Sequence, residues 1–147
     1  MSQENVEIVR EANAAFNRRD LDHWIEFFDP EIEYHDTPEF PDGGMHLGRE
    51  AFRRHAESYL DAWSDASVEV DARAVGEQVV GRIRYTGAGK VTGIEVETPE
   101  FGVLYDFRAG RIRRVRQFKT YAEALEAAGL REQRPLSIRR PCGPRAL

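Results

Sequence analysis

The stretch VEVDARAVGEQVVGRIRYT, residues 68–86, decides the fold. Val68, Val70, Ala72 and Ala74 alternate with Glu69, Asp71 and Arg73. After Gly76-Glu77, Val79, Gly81, Ile83 and Tyr85 alternate with Val80, Arg82, Arg84 and Thr86. A period of two with a glycine-centred turn between the runs predicts two antiparallel strands. Downstream, Gly87-Ala88-Gly89 separates this hairpin from a long strand over 91–107. The apolar set there changes parity near Pro99, from Ile94 and Val96 to Phe101, Val103, Tyr105 and Phe107, which predicts a bulge or bend. Arg108-Ala109-Gly110 turns into a last strand over 111–119. A short helix over 121–128 stops at Gly129. The four long strands are expected to form an antiparallel meander.

Upstream the period is helical. Val6, Val9, Ala12 and Phe16 make one apolar stripe, with Ser2 as candidate cap. Asp20 is placed to cap a second helix with an inner face of Leu21, Trp24, Ile25 and Phe28, ended by Pro30. Residues 31–36 read as a strand, with Ile32, Tyr34 and Asp36 on one face and Glu33 and His35 on the other. A loop over 37–47 leads to a third helix from Gly48 to Trp63, carrying Phe52, His55, Ala56 and Tyr59. Helices followed by a meander predict an α+β domain: a curved antiparallel sheet wrapped over three N-terminal helices into a cone.

The chain has 147 residues, 41% of them hydrophobic and 32% charged, the balance of one globular domain. Nothing approaches the run of roughly 18 apolar residues needed to span a bilayer. Several charges lie within the first twenty residues, and no secretory signal is legible among them, so a cytoplasmic location is expected. One cysteine, Cys142, excludes an internal disulfide. The net charge of −5 divides into +4 on residues 131–147 and −9 on the rest. An acidic body argues against nucleic acid as partner. The tail, rich in arginine and proline, is expected to be disordered. The charges Arg111, Arg113, Arg114, Arg116 and Lys119 are expected to pair across strands with Glu95, Glu97 and Glu100.

Asn17-Arg18-Arg19-Asp20, the run from Phe27 to Asp36, Gly48-Arg49-Glu50, Arg108-Ala109-Gly110-Arg111-Ile112 and the ending from Glu123 to Gly129 together resemble the SnoaL-like proteins of the nuclear transport factor 2-like superfamily. The resemblance covers residues 1–130 and implies a cystatin-like cone with a hydrophobic pocket between sheet and helices. This fold carries isomerases, dehydratases, cyclases, epoxide hydrolases and binding modules. Counted from Asp20, the general base of ketosteroid isomerase falls on Asp36. Its oxyanion-hole tyrosine and acid fall on Ala12 and Val103, which cannot donate. The acid of the SnoaL polyketide cyclase falls on Gln117, which donates a hydrogen bond but shuttles no proton.

The resulting expectation is a protein that binds a small apolar molecule, by its resemblance an isomerase, dehydratase or cyclase. Asp36 is the expected base, with His35 beside it as a second catalytic candidate. Tyr34, Phe52, His55, Tyr59, Val103, Tyr105 and Gln117 are expected to line the substrate site, with Trp24 and Trp63 in packing roles. The bland alternative for Asp36 is a loop cap. The alternative for the whole protein is a non-catalytic ligand-binding or protein-interaction module. His35, Asp36, His46 and His55 have no ligand spacing, and neither metal nor cofactor is expected. The outer sheet face, with Val80, Ile94 and Val96 among charges, predicts a homodimer through the sheet.

Overall fold

Alternation and turn chemistry translate directly into the hairpin. In the computed structural model, which describes residues 2–36, 44–90 and 92–129, β3 (Trp63–Val75) and β4 (Gln78–Gly89) pair antiparallel around Gly76-Glu77. Gly76 has φ +60°, a conformation a side chain would oppose. The later strands are β5 (Glu95–Glu97), β6 (Phe101–Arg108) and β7 (Arg111–Phe118). The predicted long strand is thus two, separated around Pro99. β5 pairs with β4 at Thr86–Ala88, while β6 pairs with β4 at Val79–Ile83.

The N-terminal elements are α1 (Ser2–Asn17), α2 (Leu21–Trp24), a 3-10 turn (Ile25–Phe27), β1 (Phe28–His35), β2 (Met45–Leu47) and α3 (Gly48–Ala62). Asp20 caps α2 by accepting from the His23 amide at 3.3 Å. The second helix is shorter than predicted, because the chain is already extended at Phe28 and runs through Pro30 as β1. A proline gives no N–H to a ladder. β1 tolerates it because its parallel register with β7 shifts between Phe28 and Glu33. The strand order is β2-β1-β7-β6-β4-β3.

α1, α2 and α3 lie on the concave face, where Val9, Trp24, Phe28, Phe52, Val103, Ile112 and others form the main core. The sheet is not covered on one face alone. α4 (Tyr121–Ala127) packs on the convex face over β4 and β6, burying Val80 and Leu104 against Ala124 and Leu125. This overturns the placement of Val80 on a bare outer face; Ile94 and Val96 are exposed. The close approach needs Gly102, since a Cβ there would lie 2.3 Å from the Thr120 carbonyl oxygen.

The predicted pairing of the last strand with Glu95, Glu97 and Glu100 is also corrected. β7 neighbours β1 and β6, so Arg113 pairs with Glu33 at 3.2 Å, and Arg114 and Arg116 with Asp106 at 3.0 and 3.2 Å. Glu97 and Glu100 instead meet Arg84 on β4. Residues 131–147, Cys142 and most of the 37–47 loop lie outside the described residues, as does the expectation of a disordered tail.

Several residues of the family resemblance serve the scaffold. The Asn17 side chain accepts from the Val68 amide and donates to the Val68 carbonyl, both at 2.9 Å. Arg19 donates to the Ala66 carbonyl at 2.7 Å. Arg49 binds the Phe28 carbonyl through two nitrogens at 2.9 and 2.6 Å. Asp29 accepts from the Glu31 amide at 2.8 Å and from Arg108 at 3.0 and 2.8 Å. Arg108 holds the Asp29 carboxyl below the usual carboxylate range, helped by that amide.

Candidate functional site

The concave face encloses a cavity of about 430 Å³ between the sheet and α1, α2 and α3. Its wall is mainly aromatic and aliphatic: Phe16, Trp24, Phe28, Phe52, Val103 and Val115 among others. Aromatic rings pack continuously along it, with Tyr34 and Phe52 at 4.8 Å and Phe28 and Phe52 at 4.9 Å between centroids.

Two polar groupings break this wall. The first joins β1 to α3. Asp36 follows the last residue of β1 and keeps the inward parity of Ile32 and Tyr34. Its amide donates to the Gly44 carbonyl at 2.9 Å, and its side chain is only 4% exposed. His55 Nε2 lies 3.3 Å from Asp36 Oδ2. His46 stacks on His55 with centroids 4.1 Å apart. Burial pushes the His46 imidazole below its usual value, and the neighbouring His55 adds to this against the pull of Asp36.

The second grouping joins three strands. Gln117 on β7 donates from Nε2 to the Tyr34 hydroxyl at 2.8 Å and to the Tyr85 hydroxyl. Burial drives Tyr34 and Tyr85 well above the ordinary phenol value, so both stay protonated at neutral pH. Tyr105 is raised for the same reason, and Tyr59 is pushed up to about 12.

Tyr34, Asp36, Phe52, His55, Tyr59, Val103, Tyr105 and Gln117 all line the cavity. His35 does not. Its Nε2 lies 3.4 Å from Glu33 on the opposite face of β1, as strand alternation requires, so it cannot act in the cavity beside Asp36. Trp24 and Trp63, expected to pack, also line the cavity. Tyr85 was missed as a site residue. Its signal was available, since it closes the inward series Val79, Gly81 and Ile83. Among the described residues no three His, Cys, Asp or Glu side chains are arranged to hold a metal ion. None of the described helices is long and apolar enough to cross a membrane.

A cone of this topology enclosing a cavity defines the nuclear transport factor 2-like architecture. The sequence pattern of the SnoaL-like domain matches residues 9–115, and the chain belongs to that family. Among solved structures it is similar to Bal32a from a soil-derived mobile gene cassette, with 24% identity over 79% of this chain and 88% of that one, at a TM-score of 0.70. It is also similar to a putative polyketide cyclase from Xanthomonas campestris, with 21% identity over 86% and 98% of the two chains and a TM-score of 0.70. A protein with a ketosteroid isomerase-like fold from Catenulispora acidiphila, in complex with trimethylamine, is 20% identical over 84% and 93%, with a TM-score of 0.67. At these identities the likeness establishes the fold. No curated protein sequence matches the chain.

Proposed function

We propose that this protein binds a small, largely apolar molecule in its cavity and moves a proton on it, with Asp36 as base. One observation carries the reading. A nearly buried carboxylate meets an imidazole at 3.3 Å on the wall of an apolar cavity of about 430 Å³. That volume lies in the usual range for small-molecule sites, roughly 300–1,000 Å³. A carboxylate there can take a proton from carbon or oxygen of the bound molecule and return it at a second position. His55 orients that carboxylate and steadies its charge. Such a transfer is the step shared by isomerisation, dehydration and cyclisation; among similar structures one is described as a putative polyketide cyclase and one as having a ketosteroid isomerase-like fold.

Gln117 supports a second reading. It stands where the resemblance places the acid of the polyketide cyclase, and an amide shuttles no proton at neutral pH. A ligand-binding module of the same fold would need only the cavity.

Deuterium exchange separates the two readings. 2-Tetralone and 6-hydroxy-2-tetralone are incubated with the protein in D₂O, and loss of the α-proton signals is followed by NMR. Exchange above the buffer rate, lost in Asp36→Asn while calorimetric affinity survives, supports the catalytic reading. Binding without exchange supports the binding module.

A further inference from the structure

The inference rests on the reading of the cavity as a small-molecule site and concerns an oxygen that its occupant carries at the end away from Asp36. β6 turns Val103 and Tyr105 inward and Leu104 outward, so Tyr105 stands in the main core and on the cavity wall, 7% exposed. Its hydroxyl has no hydrogen-bond partner among the described residues, and burial alone raises it above the ordinary phenol value. Three other side-chain atoms without a partner, His46 Nε2, Arg116 Nε and Gln117 Oε1, are closed to a water molecule. The Tyr105 hydroxyl is not one of them and keeps surface that a small molecule can touch. That surface opens on the cavity. The hydroxyl lies close enough to those of Tyr34 and Tyr85 for a charge on it to raise both, and all three side chains line the cavity. Tyr59 also makes no hydrogen bond among the described residues, but it is less deeply buried and lies near the Arg19 charge, where water serves it.

The strand register places this hydroxyl relative to Asp36. Tyr34 on β1 stands opposite Val115 on β7, and Val115 opposite Tyr105 on β6. Asp36 and Tyr105 therefore rise from backbones two strand spacings apart, roughly 10 Å. The Asp36 charge acts on Tyr34 and Tyr85, while Tyr105 is raised by burial alone. One small ligand can span both walls, but a single oxygen cannot meet both groups.

A phenol that stays protonated has one proton to give. An apolar ligand that fills the cavity displaces water from the Tyr105 hydroxyl and leaves that proton unanswered, which is costly in an apolar surround. A ligand with an acceptor oxygen at that place answers it. We infer that the cavity takes a ring compound bearing a carbonyl oxygen at the end remote from Asp36, and that the Tyr105 hydroxyl donates to that oxygen. The atom that loses a proton to Asp36 and the oxygen held by Tyr105 then belong to different ends of one molecule.

The test uses two naphthalenes of nearly equal shape, 2-acetonaphthone with C=O and 2-isopropenylnaphthalene with C=CH₂ at the same place. Both are titrated into the full chain by calorimetric displacement of 2-naphthol. The affinity ratio of ketone to alkene is expected to be about tenfold higher in the parent than in Tyr105→Phe, which removes only the hydroxyl. Placement is read in the unsubstituted chain by NMR. The acetyl methyl of bound 2-acetonaphthone should show cross-relaxation to the Tyr105 ring protons and none to those of His55, and this arm decides the matter if Tyr105→Phe does not fold. A ratio unchanged in Tyr105→Phe, or an acetyl group found beside His55 or Tyr59, overturns the inference and leaves the cavity a binding site. No binding of any of the three naphthalenes overturns both.

Discussion

Strand β1 carries a buried carboxylate at its beginning, and another follows its end, and the two are partnered differently. Asp29 is enclosed by Arg108 and by the Glu31 amide, with several donors on its two oxygens. Asp36 meets the His55 imidazole on the wall of a cavity. A carboxylate saturated with donors inside the scaffold has no capacity to spare for a visitor. One held at a cavity wall by an imidazole can still meet a bound molecule. The same strand therefore ends in a structural ion pair on one side and a candidate reaction centre on the other.

The largest effect expected from this contrast is on chemistry. Asp36→Asn should reduce α-proton exchange by on the order of 10²–10⁴-fold and leave the melting temperature within about 2 °C of the parent. If Asp29→Asn removed exchange equally, the contrast would fail. Next in size is a stability effect at the other end. Asp29→Ala should lower Tm by on the order of 5–10 °C, because it strips partners from Arg108 and the Glu31 amide, with 2-naphthol affinity unchanged.

Acid should sharpen the same difference. The Asp29 carboxyl sits below its ordinary value in the folded chain, so the unfolded chain binds that proton more readily. Its stabilisation is complete above the unfolded value of about 3.9 and is lost as pH falls through the folded value. Below about pH 4 the Tm-against-pH curve of Asp29→Asn should therefore be flatter than the parent's. The smallest effect concerns the cavity end. His46 is also lowered, by burial and by His55, with Asp36 opposing. The stability it confers in its neutral form is full above about 6.5 and declines as pH falls through its folded value. His46→Phe should flatten the curve between about pH 7 and 5, read by calorimetric melting at fixed salt.

The scaffold was more legible than the site. Period-two alternation placed β3, β4, β6 and β7 and their inward faces, because one buried face imposes parity on every residue. The same parity put Asp36 inside with Ile32 and Tyr34. It argues equally against His35, a catalytic candidate only if a turn permitted by Pro38 rotates it inward at the end of the strand. The contact of Asp36 with His55 was not legible. His55 was expected at the substrate site, but its contact with Asp36 depends on how α3 docks beside β1, nineteen residues away in the chain. Tyr85 and Gln117 meet through the same kind of long-range register. The early start of β1 was hidden because Pro30 reads locally as a helix stop, and only a register shift against β7 lets it lie in a strand.

The side chains that bond to the β3 backbone have a consequence for contact with other chains. β3 is an outermost strand of the sheet, and an outermost strand offers its backbone to any passing chain that can extend. Asn13, Asn17 and Arg19 occupy the outward groups of Val68 and Ala66, where such a chain would attach. At the other border, β2 is three residues long, too short to template much growth. By those three side chains the stretch of the β3 edge at Ala66 and Val68 is closed to an incoming strand.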